Sequence, residues 1–501
     1  MRNLLRVASG PIVIGLLMLL SLTAGAGASG PQPLLPNSPL SGGALMAQAI
    51  HTGTVRLAGQ SAASASFNPN GVLGNVQASE GGQPVNEDPI AANPKNSSQL
   101  LTGGNDYNCA SLQGFYTTSN GGKTWTHTCM NTESNNPFGC GDPGVGYDLN
   151  NTAYITGIDA ASSSCVPGVI AFEKSTNNGS TWSAPATAVN PLFSGGLTDK
   201  PWLQVDDNPS SPHANALYIS VTQFDSTLLN TEISVSHSTD GGNTWTTKAV
   251  DTEQFYPNID QFSDLAIGKD GTVYVSWMRC TAGSSGECAG TQATLEFSKS
   301  TDGGNTWSAP VTIAKVMLAP DPYGCCFYGT LPNTHERVSE IPALDIDNST
   351  GAHAGNLYAV MYNWTGSYMA VEVATSTNGG STWGAPVRVT PTSDTHDQFF
   401  PWLTVSPTGI VGVSWLDRRN DPSNLSYETF ISGSTNGGTS FVTNIQLATK
   451  PSNPLNDGFG GGFMGDYTGD IWDSSTVFAA SWMDSRNGVD MQDWVGGYST
   501  K

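Results

Sequence analysis

Ser298-Lys299-Ser300-Thr301-Asp302-Gly303-Gly304-Asn305-Thr306-Trp307 is the stretch whose reading decides the fold. An Asp side chain can bond to backbone amides ahead of it and close an Asx turn. The paired glycines supply the positive φ of a tight hairpin. Thr and Trp then re-enter a strand, where β-branched and aromatic side chains pack well. The stretch therefore predicts a β-hairpin whose corner is pinned to a core by its aromatic.

It recurs. Four further copies end at Trp125, Trp182, Trp245 and Trp383, and a weaker one, Ser434-Thr435-Asn436-Gly437-Gly438-Thr439-Ser440-Phe441, ends in Phe. Successive aromatics lie 57, 63, 62, 76 and 58 residues apart. A period near sixty suits a four-stranded propeller blade with generous loops. Each period adds an inner-strand signature, such as Lys200-Pro201-Trp202-Leu203 or Phe400-Pro401-Trp402-Leu403, and a buried run, such as Val273-Tyr274-Val275-Ser276-Trp277. These two signals count seven units against six turns. The last unit runs out of chain after its third strand, near 493–499. A strand from within 53–80 is expected to complete it and remove open edges. The expectation is an all-β propeller of four-stranded blades, seven favoured and six the alternative.

The repeated turn resembles the Asp-box, the bacterial neuraminidase repeat of sialidases and related β-propellers. The resemblance covers about 81–501. It implies a sialidase-like exo-glycosidase acting on glycans at the channel mouth opposite the turns. The alternative is a non-catalytic extracellular propeller that binds glycans or protein partners. The turn itself is read as a folding device. Sialidases also carry an early Arg-Ile-Pro element, and here the only Ile-Pro is Glu340-Ile341-Pro342.

Residues 1–28 read as a secretory signal peptide. Arg2 and Arg6 form its basic end, Ile12 to Leu22 its apolar core, and Ala24-Gly25-Ala26-Gly27-Ala28 its cleavage region. A retained membrane anchor is the other reading. Residues 29–80 are rich in Gly, Pro, Ser and Ala and read mostly as a linker. Eight cysteines in an exported chain suggest disulfides, paired as Cys280–Cys288, Cys140–Cys165, Cys109–Cys129 and the adjacent Cys325–Cys326. Acidic residues number 41 against 19 basic, a net charge of −22, which repels phosphate backbones and argues against nucleic acid. An extracellular monomer without cofactor or catalytic metal is expected. Asp345-Ile346-Asp347-Asn348, and Asp142 with Asp148, offer oxygen ligands of the kind calcium takes, although ordinary Asp-rich turns account for them.

Loops between the second and third strands, and those leading into the first, should ring the mouth opposite the turns. Four of the nine arginines fall there: Arg279, Arg418, Arg419 and Arg486. Arg279, Arg418 and Arg486, with Asp142, Asp199 and Asp397, are the candidate substrate-binding groups, since guanidinium grips a carboxylate bidentately. Glu340, Asp466 and Tyr467 are the candidate catalytic groups, since paired carboxylates serve glycoside hydrolysis. The competing reading is structural, with arginines stapling one blade to the next, as Asp417 to Arg486 or Asp484 to Arg418.

Overall fold

A computed structural model describes residues 35–55, 57, 72–474 and 476–500. The leader expected over 1–28 lies outside them. Among the described residues no helix is long and apolar enough to cross a membrane.

The strands form four-stranded antiparallel meanders. The first runs Ile90–Asn93, Asn96–Asp106, Gly114–Thr118 and Thr126–Cys129, and the second Gly144–Tyr147, Ala153–Ala160, Gly168–Ser175 and Ala186–Val189. The third, Leu197–Val205 to Thr246–Ala249, is fused to the second by one parallel pair, Gly168 with Leu197. The fourth spans Asn258–Ile267 to Val311–Met317, the fifth Ala343–Ile346 to Val387–Arg388, and the sixth Gln398–Val405 to Ile445–Gln446. The seventh is made from both ends of the chain. Gly469–Trp472, Val477–Asp484 and Gln492–Ser499 are followed by Val72–Gln77, which pairs Val72 with Tyr498 and Gln77 with Trp494. Each innermost strand packs on the next, and Gly469–Trp472 packs on Ile90–Asn93. The architecture is a β-propeller.

All six quoted turns join third to fourth strands. In Ser300–Trp307 the Asp302 carboxylate accepts Thr306 N–H at 2.9 Å and the Thr306 hydroxyl at 2.7 Å. Gly303 and Gly304 sit at φ +70° and +88°. The weaker copy closes the same way, with Asn436 accepting Ser440 N–H at 3.1 Å. The four disulfides form as paired above.

The segment read as a linker departs from expectation. Helix α1, Gly42–His51, is ordered, and it is buried through Ala44, Leu45, Met46 and Ala47. Its local sequence explains the helix: Ser41 caps it by accepting Ala44 N–H at 3.2 Å, and Ala, Leu, Met and Gln propagate it. Composition alone missed that the small residues of Ser41-Gly42-Gly43-Ala44 permit a close approach. A Cβ on Gly42 would lie 2.0 Å from the Phe463 ring, and one on Gly43 2.1 Å from Asp142 Oδ1.

Candidate functional site

The mouth opposite the turns is built on bulged inner strands. Register slips between Asp199 and Trp202, between Gln261 and Asp264, and between Phe399 and Trp402. At each slip a non-glycine residue takes positive φ: Lys200, Phe262 and Phe400. Glu87 and Asp142, ahead of the first two inner strands, do the same. A bulge re-aims side chains at a strand end, and strained backbone of this kind must be held by its surroundings.

These five departures gather a charged cluster with no solvent exposure. Glu87, Asp142, Asp199, Lys200 and Asp466 are all fully buried. Asp466 Oδ1 accepts Arg337 Nε at 2.8 Å, and Glu87 Oε1 accepts Asp466 N–H at 3.2 Å. The Glu87 and Asp142 carboxyls both lie against Gly43, and Asp142 Oδ1 has no hydrogen-bond partner among the described residues. Burial, then the charge of Asp466, pushes Glu87 up to about 7. Burial, then Glu87, pushes Asp142 well above the usual carboxylate range. Burial lowers Lys200, whose Nζ has no hydrogen-bond partner among the described residues and instead lies 3.7 Å over the Tyr467 ring and 4.6 Å over Trp202.

The lead-in occupies this cluster. Asp199 accepts Ser41 Oγ at 2.7 Å and Ser41 N–H at 2.8 Å, and Asp466 Oδ2 accepts Gly42 N–H at 2.7 Å. The amides at a helix start have no partner within the helix, and its dipole favours negative charge there. Upstream, the Pro39 carbonyl accepts Tyr328 O–H at 2.7 Å and Gln261 Nε2 at 3.1 Å, and the Leu40 carbonyl accepts Arg337 Nη1 at 3.1 Å. The far end is tied by His51 Nε2 to Gly139 O at 2.7 Å. Residues 39–51 thus close the mouth with their own backbone.

Of the residues singled out in the sequence, Asp142, Asp199, Asp466 and Tyr467 come together here. Tyr467 spends its hydroxyl on Pro143 O at 3.1 Å. Glu340 does not join them: it accepts Tyr362 N–H at 3.1 Å, and burial, then Glu372, raises its carboxyl. The arginines do not converge. Arg279 chelates Asp260 at 2.7 Å and also bonds Asp251. Arg418 is buried against Asp397 at 3.5 Å and Pro332 O at 2.8 Å. Arg486 binds Asp484 of its own strand end, and Arg419 binds Asp417 likewise. The cross-blade staples expected from Asp417 to Arg486 and from Asp484 to Arg418 are replaced by these local pairs, because a guanidinium two residues on reaches back to its own strand's carboxylate. Arg337, Gln261 and Tyr328 were not singled out. Gln261 stands at the bulge of the fourth blade's inner strand, while Tyr328 and Arg337 lie in the long loop after Met317 with no repeat signature, and their carbonyl partners in the lead-in are what identify all three.

No protein-family model and no curated protein matches the chain. Among solved structures, a protein of unknown function from Dyadobacter fermentans is similar at TM-score 0.46 and 14% identity, covering 72% of this chain and 94% of that one. An α-L-arabinofuranosidase from Fusarium graminearum follows at 0.45 and 12%, covering 71% and 92%. An intramolecular trans-sialidase from Ruminococcus gnavus stands at 0.44 and 12%, covering 67% and 90%. Likenesses this loose say nothing about activity.

Proposed function

We propose that the chain is an exported, glycan-acting propeller of the Asp-box, sialidase-like kind, and that its chemistry sits on the buried carboxylates of the mouth. The observation that carries this reading is the group of fully buried carboxyls, Glu87, Asp142 and Asp466, gathered around Lys200, with Asp142 accepting Lys200 N–H and Glu87 accepting Asp466 N–H. Glycoside hydrolysis needs one carboxylic acid to protonate the leaving oxygen and one carboxylate to activate water or attack the sugar. A carboxyl raised to about 7 by burial is still an acid at neutral pH. Asp199 and Asp466, which now hold a hydroxyl and two amides, are suited to sugar hydroxyls. Because Arg279, Arg418 and Arg486 are engaged by carboxylates, the sugar we favour is neutral rather than acidic.

The second reading is a non-catalytic binder. The filled mouth and the occupied arginines favour it. The two separate on a panel of fluorogenic glycosides, tested with the full chain and with its Gly43→Leu variant. A side chain at 43 collides with Asp142, so this variant should release α1 and raise turnover at least tenfold. Adding Glu87→Gln should abolish that turnover. No hydrolysis by either folded protein leaves the binding reading in place.

A further inference from the structure

The first and seventh blades meet at a seam that has its own carboxylates, separate from the mouth. Alternate residues of a strand share a face, and in the first blade's second strand Thr102 and Gly104 turn theirs toward the seventh blade. The Thr102 hydroxyl lies 2.9 Å from Asp493 Oδ2, 3.1 Å from Ser481 Oγ and 2.8 Å from Pro89 O. Ser481 Oγ donates to Asp493 Oδ1 at 2.6 Å. Gly104 leaves room beside them for Asp88, since a Cβ there would stand 3.3 Å from Asp88 Oδ1. Asp88, Thr102, Ser481 and Asp493 are all without solvent exposure.

The seam is short of donors. Neither oxygen of Asp88 has a hydrogen-bond partner among the described residues. Thr102 has a single hydroxyl proton, so it can serve Asp493 or Pro89 O but not both. His127 is spent on Asp106 at 3.0 Å. Among the described residues no lysine, arginine or histidine pairs with Asp88 or Asp493. The charges gather all the same. Burial, then Asp493, pushes Asp88 well above the usual carboxylate range, and Asp106, Asp493 and Asp88 all act on the buried Tyr116 hydroxyl. Carboxylates taken out of water without a cation are costly to bury.

We infer that a calcium ion binds at this seam, held by Asp88 and Asp493 together with Thr102 Oγ1 and Pro89 O, and that it fastens the last blade to the first. Two oxygens from each carboxylate, one hydroxyl and one carbonyl make six, which is within calcium's range. All are hard oxygens, with no imidazole or thiolate of the kind zinc takes. Magnesium demands a regular octahedron and keeps several waters, which a seam closed to solvent does not supply. The position gives the ion its use. Asp493 O accepts Ala78 N–H at 2.9 Å just beyond the closing strand, and Asp88 leads into the first inner strand, so the ion joins the two ends of the propeller. Without it a proton takes its place. The site stands whether or not the chain hydrolyses glycans.

The test uses the full chain, stripped with a chelator, and follows the addition of calcium chloride by calorimetry and thermal unfolding. One ion per chain is expected, with magnesium binding at least tenfold more weakly. Saturating calcium should raise the unfolding temperature by about 2 °C or more, because a ligand that binds only the folded chain stabilises it. Asp88→Asn keeps the shape of the protonated acid, so it should fold, bind calcium at least tenfold more weakly and lose the shift. Asp148→Asn, in an Asp-rich turn of the second blade, should leave calcium affinity unchanged. No calcium binding by the full chain, binding unchanged in Asp88→Asn, or magnesium binding as tightly as calcium overturns the inference. An Asp88→Asn chain that matches the calcium-loaded parent in stability overturns it too, and assigns the seam to a buried proton.

Discussion

The two faces of the ring use the same side chain in opposite ways. On the turn face, Asp240 and Asp302 are exposed and accept hydrogen bonds from threonine hydroxyls and amides, which bring both carboxyls down to about 2. Around the mouth and along the inner strands, burial dominates instead, and it lifts Glu87, Asp264 and Asp345 to about 7. A carboxylate among donors in water is a structural cap. One taken out of water without a matching cation is a stored acid. The contrast separates what folds the chain from what the chain is equipped to do.

The largest expected effect breaks the mouth side. Arg418 and Asp397 are both without solvent exposure, and they link the sixth blade's first strand to the loop at Pro332. Arg418→Ala leaves a buried carboxylate with only Met369 N–H and Asn424 as donors. Losing one partner of a buried pair costs about 3–5 kcal/mol, so the urea midpoint should fall well below that of the parent chain. A loss under about 1 kcal/mol would mean the pair is solvated and the contrast between faces is overdrawn.

Next comes pH. Glu87, Asp264, Asp345 and Asp493 have folded values near 7, above those of an unfolded chain. Their protonated forms therefore stabilise the fold below about pH 4, and that contribution is lost as pH rises through 7. Lys200, lowered by burial, works the other way, but the carboxyls outnumber it. Urea midpoints should peak on the acid side and fall between pH 5 and 8. The fall should be large, since a tenfold difference in proton affinity between folded and unfolded chain is worth about 1.4 kcal/mol and each of these carboxyls is raised by more than tenfold. Glu87→Gln should flatten that slope. A midpoint that rises steadily to pH 8 would place these groups in water.

The ring was legible because its turns are written locally: Ser, Asp or Asn, paired Gly and an aromatic within eight residues fix a corner whatever surrounds it. The closing strand could be anticipated from the shortfall of one hairpin, since a blade without its fourth strand exposes an edge. The mouth was half legible. Asp142, Asp199 and Asp466 stand close ahead of an inner-strand proline or strand start, so the repeat points to them. The partners that fill the mouth were not, because Ser41, Gly42 and Arg337 meet across 158 to 424 residues of chain and only the closed ring brings them together. The arginines show the limit differently. Their loops were correctly placed, but a carboxylate two residues away, as at Asp417 and Asp484, competes better than any carboxylate across the ring.

The smallest effect sharpens the comparison from the turn side. Asp302 accepts the Thr306 amide and hydroxyl and the Ser300 hydroxyl, three bonds in all, yet it faces water. In Asp302→Ala water takes over most of those donors, and the paired glycines still hold the corner. Thermal unfolding should shift by under about 2 °C at neutral pH, given the small effect of one surface bond on so large a chain. Because the folded carboxyl sits near 2, its contribution is present above the unfolded value and disappears as pH falls through 2. The parent and the variant should therefore converge in strong acid, while the Arg418→Ala deficit persists at neutral pH. An Asp302→Ala loss as large as the Arg418→Ala loss would show that the corners, and not the buried pairs, hold the blades in place.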